Sequence, residues 1–150
     1  FLRAFKSRCN WVMTAHILCK EIDPDHPATL SKKVLRDLLR GEMRYTGLIV
    51  SDDMIMKAVT DNYGEEAPVL AINAGCDLLI YRNETAARTA YETCVKAIES
   101  GKLSAERVLE AAALSRRFKQ EQLADFSEPD VTKVGQIVGI PEHQEIIAKV

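Results

Sequence analysis

Two adjacent carboxylates follow a short apolar run in the segment GLIVSDDMIMKAV, residues 47–59. In extended backbone, neighbouring side chains point to opposite faces, so only one of Asp52 and Asp53 can face a cleft. A carboxylate on the end of a stiff strand could act as a nucleophile or a metal ligand, and both residues could instead cap the following turn. Metal binding is the weaker interpretation, because no second hard ligand recurs nearby at a regular spacing.

A histidine ends a second apolar run. The segment WVMTAHI, residues 11–17, is rich in strand-forming residues and carries His16 near its polar end. Such a histidine is either a hydrogen-bonded structural residue or, at the carboxyl end of a strand, a partner for a ligand or a neighbouring carboxylate. Met54 and Met56, which follow the aspartates, are typical of a core or a flexible apolar wall.

Apolar runs alternate with helical patterns along the chain. We expect strands over residues 11–17, 47–51 and 76–81. Caps and apolar periodicity predict helices, which cover residues 31–43, 65–75, 84–100, 104–119 and 141–150. Because the strand runs are apolar almost throughout, we expect strands covered on both faces in a parallel α/β sheet. Such sheets bind ligands at the carboxyl ends of their strands, which directs attention to the segments MTAH, SDD and IYRN.

Four segments, in order, resemble motifs of one enzyme family. They are VMTAHI, PATLSKKVLRDLLRGEMRYTGLIVSDDM, AINAGCDLLIY and GKLSAERVLEAAALSRRFK. They resemble the family 3 glycoside hydrolases, in particular the β-N-acetylhexosaminidase branch, over the C-terminal part of the catalytic barrel. The resemblance implies a partial (β/α)8 TIM barrel over residues 1–120, with about three parallel strands and flanking helices. Residues 121–150 are then expected to form a linker and the start of a following segment or second domain.

The resemblance also implies roles for individual residues. Asp52, the first aspartate of SDD, matches the family's nucleophile. The implied reaction is retaining hydrolysis of terminal N-acetyl-β-glucosaminides, such as peptidoglycan or chitin fragments, through a glycosyl-enzyme intermediate. Neither a cofactor nor a metal is expected. His16, Met13, Asp53 and Met54 are expected to contact the sugar or to support the groups that do.

Two motifs of this branch do not occur in the sequence: the Asp-Ser-His element that carries the acid/base, and a KHFPGHG element that binds the sugar. A complete barrel needs about 250 residues. We therefore expect a fragment that is inactive or nearly so on its own, with a carbohydrate substrate. Its expected protein partner is the missing N-terminal half-barrel or a second copy of the chain.

The alternative is a non-catalytic half-barrel that binds sugar or assembles with a partner chain. An aldolase or isomerase barrel is disfavoured, because Lys57 lies past the strand end and IYRNE is not the glycine-rich phosphate loop of such enzymes.

Composition excludes some classes of protein. A net charge of −2 gives no electrostatic argument for nucleic-acid binding, and no apolar run is long enough for a transmembrane helix. The four cysteines have mostly apolar neighbours and form no CxxC pair, so we expect buried, reduced thiols. Reduced thiols weakly favour a cytoplasmic location over an exported one, and the sequence does not decide between the two.

Overall fold

A three-stranded parallel sheet with strand order β1-β2-β3 organises the fold. The computed structural model describes residues 2–7 and 9–149. The strands are β1 (Trp11–Met13), β2 (Leu48–Asp53) and β3 (Leu78–Ile80). The predicted parallel α/β sheet of about three strands is confirmed. The sheet is open, since β1 and β3 each pair only with β2 within the described part of the chain.

Helices follow the strands as predicted, but two short ones, over Leu2–Lys6 and Lys57–Tyr63, are not among those that the sequence predicts. They are α1 (Leu2–Lys6), a π-helix (Lys33–Glu42), α2 (Lys57–Tyr63), α3 (Ala67–Ala74), α4 (Glu84–Glu99) and α5 (Ala105–Leu123). The amide of Met43 donates to the carbonyl oxygen of Leu38, five residues earlier, which is the wide winding of a π-helix. Short 3-10 turns at Ala28–Leu30 and Gly64–Glu66 precede the π-helix and α3.

The chain divides into two compact units, residues 1–118 and 119–150, with the boundary inside α5. The second unit holds a 3-10 turn at Val131–Lys133, α6 (Val134–Ile137) and α7 (Pro141–Ile147). The segment ADFSEPDVTKVGQIVG, at the start of the predicted linker, is irregular in its first half but helical in much of its second half. There, the side chain of Asp130 accepts from the amide of Thr132 and starts the turn. The assignment of this unit to a linker and a following domain stays a prediction.

Only the central strand is covered on both faces. Leu48 and Ile49 of β2 are 0% exposed, whereas Trp11 and Met13 of β1 are 49% and 63% exposed. The expectation that all three strands are buried on both faces is therefore wrong for β1 and β3. These two form the edges of the sheet, where no further strand of the described chain covers them.

The core packs β2 against the π-helix and the helices that follow β2. Its buried members are Leu30, Leu35, Leu39, Tyr45, Ile49, Met54, Val59, Ala67, Ala71, Ala74 and Cys76. All four cysteines are free thiols, but only Cys76 is buried, and the other three are half-buried. The expectation of buried thiols therefore holds for Cys76 alone, where burial raises the pKa of the thiol to about 12.

One buried carboxylate ties the amino ends of β2 and β3 together. Asp77 Oδ2 accepts from Arg40 Nη2 at 2.6 Å and from the amide of Ile49 at 2.9 Å. Asp77 Oδ1 accepts from Arg107 Nη2 at 2.7 Å. The Asp77 side chain is only 3% exposed and that of Arg107 only 7%. Charge-assisted contacts of this kind therefore join two strands, the π-helix and α5 at a single point.

Replacing Asp77 by alanine is expected to lower the free energy of unfolding by about 3–5 kcal/mol, because two guanidinium groups lose their buried counter-charge. Urea unfolding of the variant measures this loss. The matched control is Asp37→Ala on the exposed face of the π-helix, which is expected to change stability by less than about 0.5 kcal/mol. Equal effects of the two substitutions would contradict the role of Asp77.

Candidate active site

β2 carries one extra residue near its carboxyl end. Val50 pairs with Leu78 and Asp53 pairs with Ile80, so β2 advances three residues where β3 advances two. The register shift falls on Ser51 and Asp52. A bulge bends the strand and changes the direction in which its side chains point. The segment SDD therefore ends the strand, and Asp52 has no pairing partner on β3.

The side chain of Ser51 completes the hydrogen bonding across this bulge. Ser51 is 0% exposed, and its Oγ accepts from the amide of Ile80 at 2.9 Å. The carbonyl oxygen of Ile80 accepts from the amide of Met54, also at 2.9 Å. Buried main-chain groups need partners, and here a side chain supplies the one that the shifted register removes.

The two aspartates differ in their free hydrogen-bonding capacity. Asp52 Oδ1 accepts from the amide of Asp53 at 2.7 Å, and its second oxygen has no partner among the described residues. Both oxygens of Asp53 are engaged: Oδ1 with the amide of Ile55 at 3.3 Å and Oδ2 with Arg82 Nε at 3.2 Å. Asp52 is half-buried and keeps one carboxylate oxygen available for a ligand.

The other predicted site residues differ in their contacts with the segment after β2 and in their exposure. His16 Nε2 is 3.1 Å from the carbonyl oxygen of Asp53. Met13 is 63% exposed on β1 and can reach a ligand, but Met54 is 2% exposed and belongs to the core. Of the two roles expected for Met54, only support from beneath is compatible with its burial. The roles of all these residues stay predictions.

Three residues of the site were not singled out from the sequence: Ser51, Tyr81 and Arg82. Tyr81 and Arg82 directly follow β3, in the strand-end segment IYRN, and Arg82 forms an ion pair with Asp53. Burial raises the pKa of Tyr81 to about 12, with the nearby Cys94 and Asp53 adding to the effect. The strand-end rule finds this segment, but it does not say which side chains reach across to β2.

The loop between β1 and the π-helix is fixed by Asp23. Its carboxylate accepts from Ser31 Oγ at 2.6 Å and from the amides of Asp25 at 3.1 Å and His26 at 3.3 Å. Ser31 Oγ also accepts from the amide of Val34, so it caps the helix as the sequence predicts. The hydrogen bond from Ser31 holds the pKa of Asp23 below its ordinary value of 3.8.

This loop gives a pH-dependent contribution to stability. A carboxyl with a lowered pKa in the folded state stabilises the fold above its unfolded pKa, and this contribution is lost as the pH falls through its folded pKa. The free energy of unfolding of the wild type is therefore expected to exceed that of Asp23→Asn at pH 7. The gap should narrow as the pH falls below about 4. Urea unfolding at a series of pH values measures it, and a gap that widens on acidification would contradict the role of Asp23.

A cleft of about 750 Å³ lies at the opposite end of the sheet, where Arg40, Asp77 and Arg107 line it. Two of the arginines in its lining, Arg40 and Arg107, are already paired with Asp77. Within residues 2–7 and 9–149, no group of three or more His, Cys, Asp or Glu side chains could hold a metal ion. No helix of this same part of the chain is long and apolar enough to cross a membrane.

The described fold is a piece of a parallel α/β sheet with a carboxylate at the end of its central strand. Residues 1–116 match the glycosyl hydrolase family 3 N terminal domain, so the chain belongs to this family. A beta-hexosaminidase of Tolumonas auensis is 42% identical over 81 residues, which are 53% of this chain and 24% of that protein. A beta-hexosaminidase of Hydrogenovibrio crunogenus is 37% identical over 112 residues, 73% of this chain and 30% of that protein.

A solved structure shows the same arrangement. It is a glycoside hydrolase family 3 beta-N-acetylglucosaminidase from Paenibacillus sp. str. FPU-7, which superposes with a TM-score of 0.80 at 35% identity. The match covers 86% of this chain and 25% of that one. The predicted fold class, part of a (β/α)8 barrel, is thereby confirmed. The chain spans about a quarter of the length of the proteins to which it is similar.

Proposed function

We propose that this chain supplies the nucleophile of a retaining glycosidase that acts on terminal N-acetyl-β-glucosaminides. In such a reaction a carboxylate attacks the anomeric carbon and forms a glycosyl-enzyme, which water then hydrolyses. The attacking group is Asp52. The substrate class follows from the similar proteins, which are named beta-hexosaminidase and beta-N-acetylglucosaminidase.

The observation that carries the proposal is the unequal hydrogen bonding of the two aspartates. A nucleophile must hold one oxygen in a fixed direction and leave the other oxygen free to attack. Asp52 meets this condition, with Oδ1 held at 2.7 Å by the amide of Asp53 and no described partner for Oδ2. Asp53 does not, because both of its oxygens are engaged. The same unequal partners support a positioning role for Asp53.

Activity in this proposal also needs parts that the described sheet does not supply. A retaining glycosidase pairs its nucleophile with a second carboxylic acid or an equivalent proton donor about 5–5.5 Å away. The Asp-Ser-His element that carries the acid/base in the β-N-acetylhexosaminidase branch does not occur in this sequence. Five further strands would complete an eight-stranded barrel, and they would cover the open edges at β1 and β3.

A non-catalytic half-barrel remains the second candidate, and the exposed edge favours it. Trp11 and Met13 expose 49% and 63% of their surface on a strand whose outer edge has no described partner. Such an edge is a site for pairing with another chain. In this case the chain would bind sugar or a partner without turnover.

Asp52→Asn is expected to lower turnover of an aryl N-acetyl-β-glucosaminide by more than about 100-fold, since loss of a nucleophile removes several kcal/mol of transition-state stabilisation. The assay uses the complete protein that contains this chain. The matched control is Asp61→Asn, an exposed aspartate of α2 that should keep near-normal activity. If Asp52→Asn retained more than about a tenth of wild-type turnover, Asp52 would not be the nucleophile.

The purified 150-residue chain alone is expected to show no turnover above background, because its sequence lacks the Asp-Ser-His element that would supply the proton donor. The measurement is release of the aryl group by the pure chain, with the Asp52→Asn chain as the blank. Turnover that exceeds the blank would contradict the need for a second half of the site. Size-exclusion chromatography of the same sample tests the half-barrel candidate through self-association.

A further inference from the structure

His16 donates a hydrogen bond from one of its two ring nitrogens. Its Nε2 lies 3.1 Å from the carbonyl oxygen of Asp53, and a carbonyl oxygen can only accept, so Nε2 carries a proton. Its Nδ1 is buried and has no hydrogen-bond partner among the described residues. The geometry therefore places a proton on Nε2.

His16 contacts a peptide group whose carbonyl and amide are both hydrogen-bonded. His16 donates to the carbonyl of the peptide that joins Asp53 to Met54, and the amide of the same peptide donates to Ile80 at 2.9 Å. Hydrogen bonds at the two ends of one peptide group polarise and strengthen each other. The backbone of Asp53 is thereby hydrogen-bonded to the segment that follows β1 and to the end of β3.

These hydrogen bonds also affect the orientation of the Asp52 carboxylate. The amide of Asp53, on the other side of the same residue, donates to Asp52 Oδ1 at 2.7 Å. The backbone torsions of Asp53 set the direction of that amide. Asp53 has further contacts within its own turn: the amide of Met56 donates to the same carbonyl oxygen at 3.1 Å, and the amide of Ile55 donates to Oδ1 at 3.3 Å. Its ion pair with Arg82 contributes little, because the Arg82 side chain is 74% exposed. The Ile55 and Met56 contacts stay within the turn, whereas the part-buried contact from His16 ties the Asp53 backbone to a segment 37 residues earlier in the chain.

We propose that His16 is a positioning residue that orients the Asp52 carboxylate through the backbone of Asp53. This rests on the proposed function of Asp52 as a nucleophile. His16 then sets the angle at which Asp52 meets the anomeric carbon without contacting the sugar. Displacements of about 1 Å at a reacting group can cost 100-fold in rate, so loss of this contact is expected to slow the reaction.

Two variants in the complete protein that contains this chain test the idea. His16→Phe keeps the ring volume and removes the donor, and we expect kcat to fall roughly 10- to 100-fold. KM should stay within about threefold, because binding of the ground state does not depend on this contact. His16→Gln places an amide nitrogen near the Nε2 position, so it should recover kcat to within about fivefold of wild type. His143→Phe, an exposed histidine in the second unit, is the matched control.

A raised KM with unchanged kcat in His16→Phe would instead indicate direct contact with the sugar and would overturn the proposal. Failure of His16→Gln to recover more activity than His16→Phe would do the same. Should His16→Phe not fold, His16→Gln and the NMR measurement below still decide the matter.

The second readout does not depend on turnover. Nitrogen-15 NMR of the ring nitrogens in this chain is expected to show a protonated Nε2 and a bare Nδ1 for His16. The amide signal of Asp53 should shift in His16→Phe and return towards its wild-type position in His16→Gln. A proton on Nδ1, or an unmoved Asp53 amide, would overturn the proposal. If Asp52→Asn proved fully active while these NMR results held, the proposed function would fail and the His16 contact would stand as a structural one.

Discussion

The hydrogen bond from the amide of Ile80 to Ser51 Oγ is the contact on which the site depends. It allows β2 to carry one residue more than β3 between their two points of pairing without leaving a buried main-chain group unsatisfied. Without that extra residue the ladder would continue in regular alternation, and Asp52 would occupy an ordinary strand position. The bulge, closed by a fully buried serine, ends the strand in a turn that presents one carboxylate and engages the next.

The opposite end of the same strand is fixed by a different interaction. Asp77 binds the first residues of β2 and two arginines from separate helices, so β2 is held at its amino end as well as at its bulge. Gly47, just before β2, belongs to the same arrangement, because a Cβ there would overlap the Tyr45 hydroxyl group and the Asn10 carbonyl oxygen. A strand constrained at both ends is a stiff support, and a nucleophile needs a support that does not move during the reaction.

The sequence predicts most of the elements, because the strands are apolar runs and the longer helices have recognisable caps, as Ser31 shows. It misses α1 and α2, and it extends the first strand to residue 17, whereas β1 ends at Met13. It predicts Asp52 through a family resemblance and a strand-end rule. It places His16 near the carboxyl end of a strand, and in the structure His16 lies three residues beyond the end of β1. It does not predict the bulge, since a register shift depends on the pairing of two strands and no residue type in β2 indicates it. The contact of Arg82 with Asp53 and the π-type winding of residues 33–42 are also products of tertiary packing.

The central claim is that Asp52 forms a covalent bond to the sugar. The most direct test uses a fluorinated N-acetylglucosaminyl substrate analogue, whose glycosyl-enzyme hydrolyses slowly, with the complete protein that contains this chain. Proteolysis and mass spectrometry of the trapped enzyme then locate the label. The account predicts a single glycosyl ester in the peptide that contains residues 47–59, attached to Asp52. A label on Asp53 or on any other residue, or turnover without a trapped ester, would contradict it.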